Sequence, residues 1–136
     1  MIIIKTTRFG ELQIDENEII TFPYGIPGIP FERFIVRECL DPVKWLIAVD
    51  DPDVAMLIVS PFKYFPTYGF QLSDEIVSLL QAEKEEELEI YVALLKYNDG
   101  VAVNLKSPFV INKNKKIGAQ ILLEDERYEF KAPIKR

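Results

Sequence analysis

Carboxylates are the most abundant reactive groups in this chain, and two groupings of them are dense enough to suggest chemistry. Asp50-Asp51-Pro52-Asp53 places three acids within four residues, a density that suits a hard cation. A calcium loop, however, needs a glycine at its sixth position and a bidentate glutamate at its twelfth, and here a proline interrupts the run. The segment reads instead as a tight turn with proline preset near its start. The second grouping runs from Asp74 to Glu89, with seven acids against a single base, Lys84. No spacing in it sets two carboxyls across a pocket, so a general acid–base pair does not follow. The chain has no histidine and one cysteine. Imidazole catalysis is therefore excluded, and zinc would have to be held by carboxylates. Cys39 lacks a base to activate it, reads as a small filler residue, and leaves no internal disulfide. Neither phosphate-cradling glycine motif, G-x-x-x-x-G-K-[ST] or G-x-G-x-x-G, occurs. These residues argue against an enzyme, with no cofactor and no metal expected.

Binding chemistry is better represented. Phe62, Tyr64, Phe65, Tyr68 and Phe70 form an aromatic cluster broken by Pro66 and Gly69. Bases stack on such rings in single-strand binders, but those sites carry a positive groove, and only Lys63 is near. Phe62, Tyr64, Tyr68 and Phe70 share parity, which predicts one buried side of an extended segment, with any exposed part suited to a protein partner. Lys113, Lys115 and Lys116 form one basic concentration and Lys131, Lys135 and Arg136 another; lysines on a hairpin turn keep an edge soluble. The overall charge of −6 comes from 22 acids and 16 bases. Subtracting the seven acids and one base of 74–89 leaves 15 of each, so the entire net charge resides in that segment. It repels nucleic acid and attracts a basic protein surface.

One further stretch, Phe22-Pro23-Tyr24-Gly25-Ile26-Pro27-Gly28-Ile29-Pro30, holds three of the nine prolines and two of the six glycines, together with four large apolar side chains. Fixed φ angles and missing amide donors forbid a helix or a central strand there. Such a segment is an ordered, apolar loop, either packed on the core or preformed for docking.

The elements that must position these groups are mostly strands. β-branched and aromatic runs cover 2–7, 11–14, 18–22, 33–38, 44–49, 54–60, 88–97, 101–106, 109–111 and 117–123, separated by turn residues such as Asn98-Asp99-Gly100. One helix is expected over about 74–82, with Ser73 as N-cap, acids in its first turn and Leu72 and Val77 as a hydrophobic staple. The expected fold is mainly β: a small antiparallel β-barrel-like single domain, 1–136, with one short helix. No run approaches the ~20 apolar residues of a membrane span, and the N-terminus lacks the features of a signal peptide. With one cysteine, a cytoplasmic address is the simplest expectation.

Four ordered stretches resemble one family. Phe22-Pro-Tyr-Gly-Ile-Pro-Gly28 is similar to its F-P-x-G-[IL]-P-G signature, and Val49-Asp-Asp-Pro-Asp-Val-Ala55 to its D-D-P-D-x-A turn. Asn104-Leu-Lys-Ser-Pro-Phe-Val-Ile-Asn112 is similar to its N-L-x-[AS]-P-[IVL]-V-I-N run, and Gly118-Ala-Gln-Ile-Leu122 stands for a fourth. The family is that of the FliW flagellar assembly factors, and the likeness covers roughly 2–128. It implies a non-enzymatic cytoplasmic regulator that binds CsrA, a translational repressor, and keeps it from RNA. It also implies binding to flagellin in competition with CsrA, and neither direct nucleic-acid nor membrane binding; a flagellin chaperone without a CsrA role is the nearest rival. Within that frame the expected protein-binding residues are Phe22, Tyr24, Ile26 and Ile29 of the loop, Asp50, Asp51 and Asp53 of the turn, Phe65 and Tyr68 of the aromatic cluster, and Glu85, Glu86 and Glu87. Pro23, Gly25, Pro27, Gly28 and Pro108 are expected to shape loops, and Asn104, Pro108 and Asn112 to serve strand-end hydrogen bonding and a bulge.

Overall fold

The structure, a computed structural model, describes residues 1–134. Its strands are β1 (Ile2–Thr6), β2 (Gly10–Ile14), β3 (Ile20–Thr21), β4 (Arg33–Leu40), β5 (Val43–Ala48), β6 (Ala55–Val59), β7 (Leu88–Tyr97), β8 (Gly100–Val103), β9 (Phe109–Asn112), β10 (Ile117–Gln120) and β11 (Ala132–Ile134), with one α-helix, α1 (Asp74–Leu80). The pairing order β7-β6-β5-β4-β3-β10-β9 returns to β7, because the first half of β7 pairs with β9 while its second half pairs with β8. The hydrogen-bonded order thus closes on itself, barrel-like, and β8 and β11 extend it on one side. One pair departs from the antiparallel expectation: β3 runs parallel to β10, through Thr21 and Ile117.

Alternation along each strand divides the core. Phe34, Leu46, Ala48, Ile58, Tyr91, Phe109 and Ile111 point into the ring, while Ile35 and Ile47 point out and are covered by Leu12 and Ile14 of the β1–β2 hairpin. On the opposite wall Val110 and Ala119 are covered by Leu80 of α1. Tyr68, Val92, Val103, Leu105 and Leu123 make a further layer where β8 and β11 join.

Several local differences from the sequence reading have evident causes. The strand expected over 18–22 shrinks to Ile20–Thr21, because Asp15 and Glu18 cap each other's backbone around a 3-10 turn at Glu16–Glu18. The aromatic stretch is not extended. Pro61 starts a 3-10 turn, and the rings of Tyr68, Phe70 and Tyr128 meet edge to face at 4.7–5.6 Å rather than lining one strand face. Cys39 is exposed, not filler. It sits at the β-bulge between Glu38 and Leu40, whereas no register shift marks Asn104 or Asn112. Of the second basic group, Lys135 and Arg136 lie outside the described residues.

Helix α1 starts where its cap predicts: the Ser73 hydroxyl accepts from the amide of Ile76 at 3.2 Å. It stops at Gln81, in the left-handed region at φ 52°. Its open carbonyls are met by Asn112, which is wholly buried and donates from Nδ2 to the Leu80 carbonyl at 2.8 Å. The same side chain accepts from the amides of Asn114 and Lys115 at 3.0 and 3.1 Å. One amide thereby joins helix end, β9 and the β9–β10 turn. Asn112→Leu leaves these partners unsatisfied and is expected to destabilise the protein by about 2–3 kcal/mol, read as a lower urea midpoint at unchanged slope.

Candidate functional surface at one end of the barrel

The proline–glycine stretch folds as two successive turns. Phe22-Pro23-Tyr24-Gly25 closes with the Gly25 amide donating to the Phe22 carbonyl at 2.8 Å, and Ile26-Pro27-Gly28-Ile29 closes likewise at 2.9 Å. Each proline holds the second position of its turn. Gly28, at φ +82°, fills the third position, which requires positive φ in a type II turn. A Cβ there meets nothing within 4 Å, so the need for glycine is conformational rather than steric.

These turns point apolar groups both ways. Phe22 and Ile26 are buried, with the Phe22 ring against Phe34 and Phe109 at centroid distances of 5.3 and 6.3 Å. Tyr24 points outward and is 62% exposed; Ile29 is half-buried against the ring interior. Phe22, Ile26 and Tyr68, expected to meet a partner, thus present no side-chain surface to one, because they plug core positions. Tyr68 also donates its hydroxyl to the Leu105 carbonyl at 2.8 Å, and burial pushes its pKa up. Phe65 is half-buried against the same layer.

The aspartate turn sits at the same end. Asp50 pairs with Arg33, which opens β4 just beyond the loop, at 2.5 Å, and the Val49 amide donates to the Arg33 carbonyl. Asp51 closes the turn by accepting from the amide of Asp53, and Asp53 accepts from the Thr7 hydroxyl at 2.6 Å. The three carboxylates are committed to separate internal partners, and the described residues include no grouping of acids, cysteines and histidines able to hold a metal.

The acidic segment adjoins the loop through one hydrogen bond, Tyr24 hydroxyl to Glu75 carboxylate at 3.0 Å, which raises the phenol's pKa. Glu85 and Glu86 are exposed. Glu87 is half-buried and turned inward: it accepts from the amides of Glu83 and Lys84 at 2.9 Å each, and these bonds lower its pKa. The structure thus gathers Tyr24, Glu75, Asp50 and the two glycine turns around one end. Glu85 and Glu86 are not part of it, because they lie further along the acidic segment, where Glu83 and Glu87 border Asn114 and Lys115 of the β9–β10 turn. Glu75 and Arg33 were missed as site members, since their roles depend on contacts distant in sequence. Pro23 and Pro27 are exposed within the turns, whereas Pro108 is buried at the start of β9.

Three carboxyls in the molecule, of which only Asp50 is at this end, have depressed pKa values: Asp50 beside the Arg33 guanidinium, Glu87 on its backbone amides, and Asp125, held at about 2 by Arg127. A carboxylate with a lower pKa folded than unfolded adds stability above its unfolded value, roughly pH 4. That contribution disappears as pH falls through the folded value. The thermal midpoint is expected to decline below about pH 4, and less steeply in Asp50→Asn.

The molecule defined by this architecture is a small barrel-like β protein that offers a shaped, partly apolar loop surface, which an acidic segment touches at Glu75. The family model described as FliW protein matches residues 3–134. A flagellar assembly factor FliW of Caldicellulosiruptor saccharolyticus is 40% identical over 133 residues, covering 95% of this chain and 88% of that protein. One from Alkaliphilus metalliredigens is 38% identical over 135 residues, covering 95% and 83%. A solved crystal structure of the flagellar assembly factor FliW superposes with a TM-score of 0.90 at 33% identity, covering 96% of this chain and 95% of that one. The chain belongs to the FliW family of flagellar assembly factors. No helix among the described residues is long and apolar enough to cross a membrane.

Proposed function

We propose that this protein is a cytoplasmic, non-enzymatic regulator that holds the translational repressor CsrA away from RNA and surrenders it when flagellin binds. The observation that carries the reading is the contact between two features: an exposed aromatic on a backbone locked by two turns, and the start of the segment that holds the whole net charge, which meet at Tyr24 and Glu75. A repressor that binds RNA must present a basic surface. Negative charge at 74–89 attracts that surface over long range and repels RNA from the complex. The preset turns lower the ordering cost of forming the contact. Among the exposed residues, Tyr24, Asp50 and Asp53 are assigned to the contact itself, with Ile29 and Asp51 at its half-buried margin. Glu85 and Glu86 are assigned to attraction at long range, and Phe65, packed in the layer where β8 and β11 join, falls outside the contact.

The competition is tested by adding flagellin to a preformed complex with CsrA and following CsrA by fluorescence anisotropy. Release in proportion to flagellin supports the switch. Flagellin binding to this chain with no CsrA complex formed at all would leave a flagellin chaperone.

A further inference from the structure

Beside the acidic segment lies a groove of about 620 Å³, within the range that accommodates ligands or several large side chains. Phe70, Leu72, Val77, Leu88 and Ile90 line its apolar part, and Glu83, Lys84 and Glu85 its edge. It exists because α1 is short: Leu80 covers Val110 and Ala119, then the left-handed Gln81 ends the helix. The rings and aliphatic chains beyond that point are only partly covered, as the half-buried state of Leu72, Val77, Leu88 and Ile90 shows. Lys84 is the only base of the 74–89 segment.

We propose that this groove docks a peptide segment of a partner protein that presents apolar anchors interspersed with lysine or arginine. The apolar wall supplies burial for the anchors, at roughly 25 cal/mol per Å² removed from water. Charge complementarity selects the sign: Glu83 and Glu85 line the groove, Glu86 adjoins them, and all belong to the stretch that carries the net charge of −6. A nucleic acid, despite the aromatics, meets a rim in which two acids outnumber the one base, Lys84. The inference concerns a different surface from the barrel end and stands whether or not CsrA and flagellin are the partners of that end.

The test uses the full chain and a short fluorescein-labelled peptide of leucine and lysine, with a leucine–glutamate peptide of equal length and a single-stranded oligouridine as comparisons. Gly69→Leu fills the groove: a Cβ at Gly69 meets nothing within 4 Å, and the amide and carbonyl of Gly69 keep their bonds to the Tyr128 hydroxyl. The leucine–lysine peptide is expected to bind. Gly69→Leu should weaken it roughly tenfold at an unchanged thermal midpoint, and Glu83→Gln/Glu85→Gln should weaken it and flatten its salt dependence. Glu85→Lys, at an exposed position, repeats the test without any change to the core. Absence of binding at low salt, equal binding of the leucine–glutamate peptide or the oligouridine, or affinity indifferent to both Gly69→Leu and Glu85→Lys overturns the proposal.

Discussion

Phe22→Ala is expected to remove about 3–5 kcal/mol of stability, a large share of the roughly 5–15 kcal/mol that holds a domain folded. Phe22 is fully buried and touches Phe34 and Phe109 edge to face. Its ring also lies directly over Gly118 of β10: a Cβ placed on Gly118 would stand 2.7 Å from the ring's Cζ and within 3.0 Å of both Cε atoms. No such distance is tolerable, and the obstacle is a ring wedged between two other rings rather than a flexible chain end. Gly118→Ala is therefore expected to cost about 1–3 kcal/mol by overpacking. The two sites share one volume, so their effects should not add. Phe22→Leu/Gly118→Ala should be more stable than the sum of the single losses implies, as measured by urea unfolding of all four proteins. Additive losses would show that the ring and glycine do not compete for space. Three of the four family-like stretches meet at this point, through Phe22, Phe109 and Gly118, which explains their co-occurrence as packing.

The second large effect concerns rates. Glu83, Glu85 and Glu86 are exposed, and replacing all three by glutamine halves the net charge from −6 to −3. Glu87 is left in place because it caps its own turn. Electrostatic steering accelerates association by roughly 10–1000-fold when fields are strong. The triple variant should associate with CsrA about tenfold more slowly at low salt, with a shallower dependence on ionic strength and little change in dissociation. Stopped-flow traces that coincide with the unaltered protein at low salt would remove the acidic segment from the encounter.

Local chemistry made much of this fold readable. β7 spans the residues that its β-branched and aromatic run indicates, Asn98-Asp99 turns it into β8, and Ser73 caps the helix. What escaped was decided by distant contacts. β11 carries Pro133 in a charged tail, and proline is tolerated there because the strand pairs on one side only, with β8. The left-handed stop at Gln81 has no glycine to announce it; Asn112, distant in sequence, anchors that helix end. The parallel β3–β10 pair, which completes the ring, rests on a single residue pairing that no local pattern encodes. For the candidate surface, the proline and glycine spacing revealed the two turns, but not which apolar side chains they bury. Phe22 and Ile26 alternate with Tyr24 around those turns, so only the folded loop shows that the tyrosine alone faces out.

The most direct test of the regulatory account is a calorimetric titration of this protein with CsrA, alone and with CsrA bound to its RNA hairpin. The account predicts saturable binding to CsrA that weakens with salt and lowers the affinity of CsrA for the hairpin. Absence of heat with CsrA at low salt, or a complex that leaves RNA affinity unchanged, would contradict it.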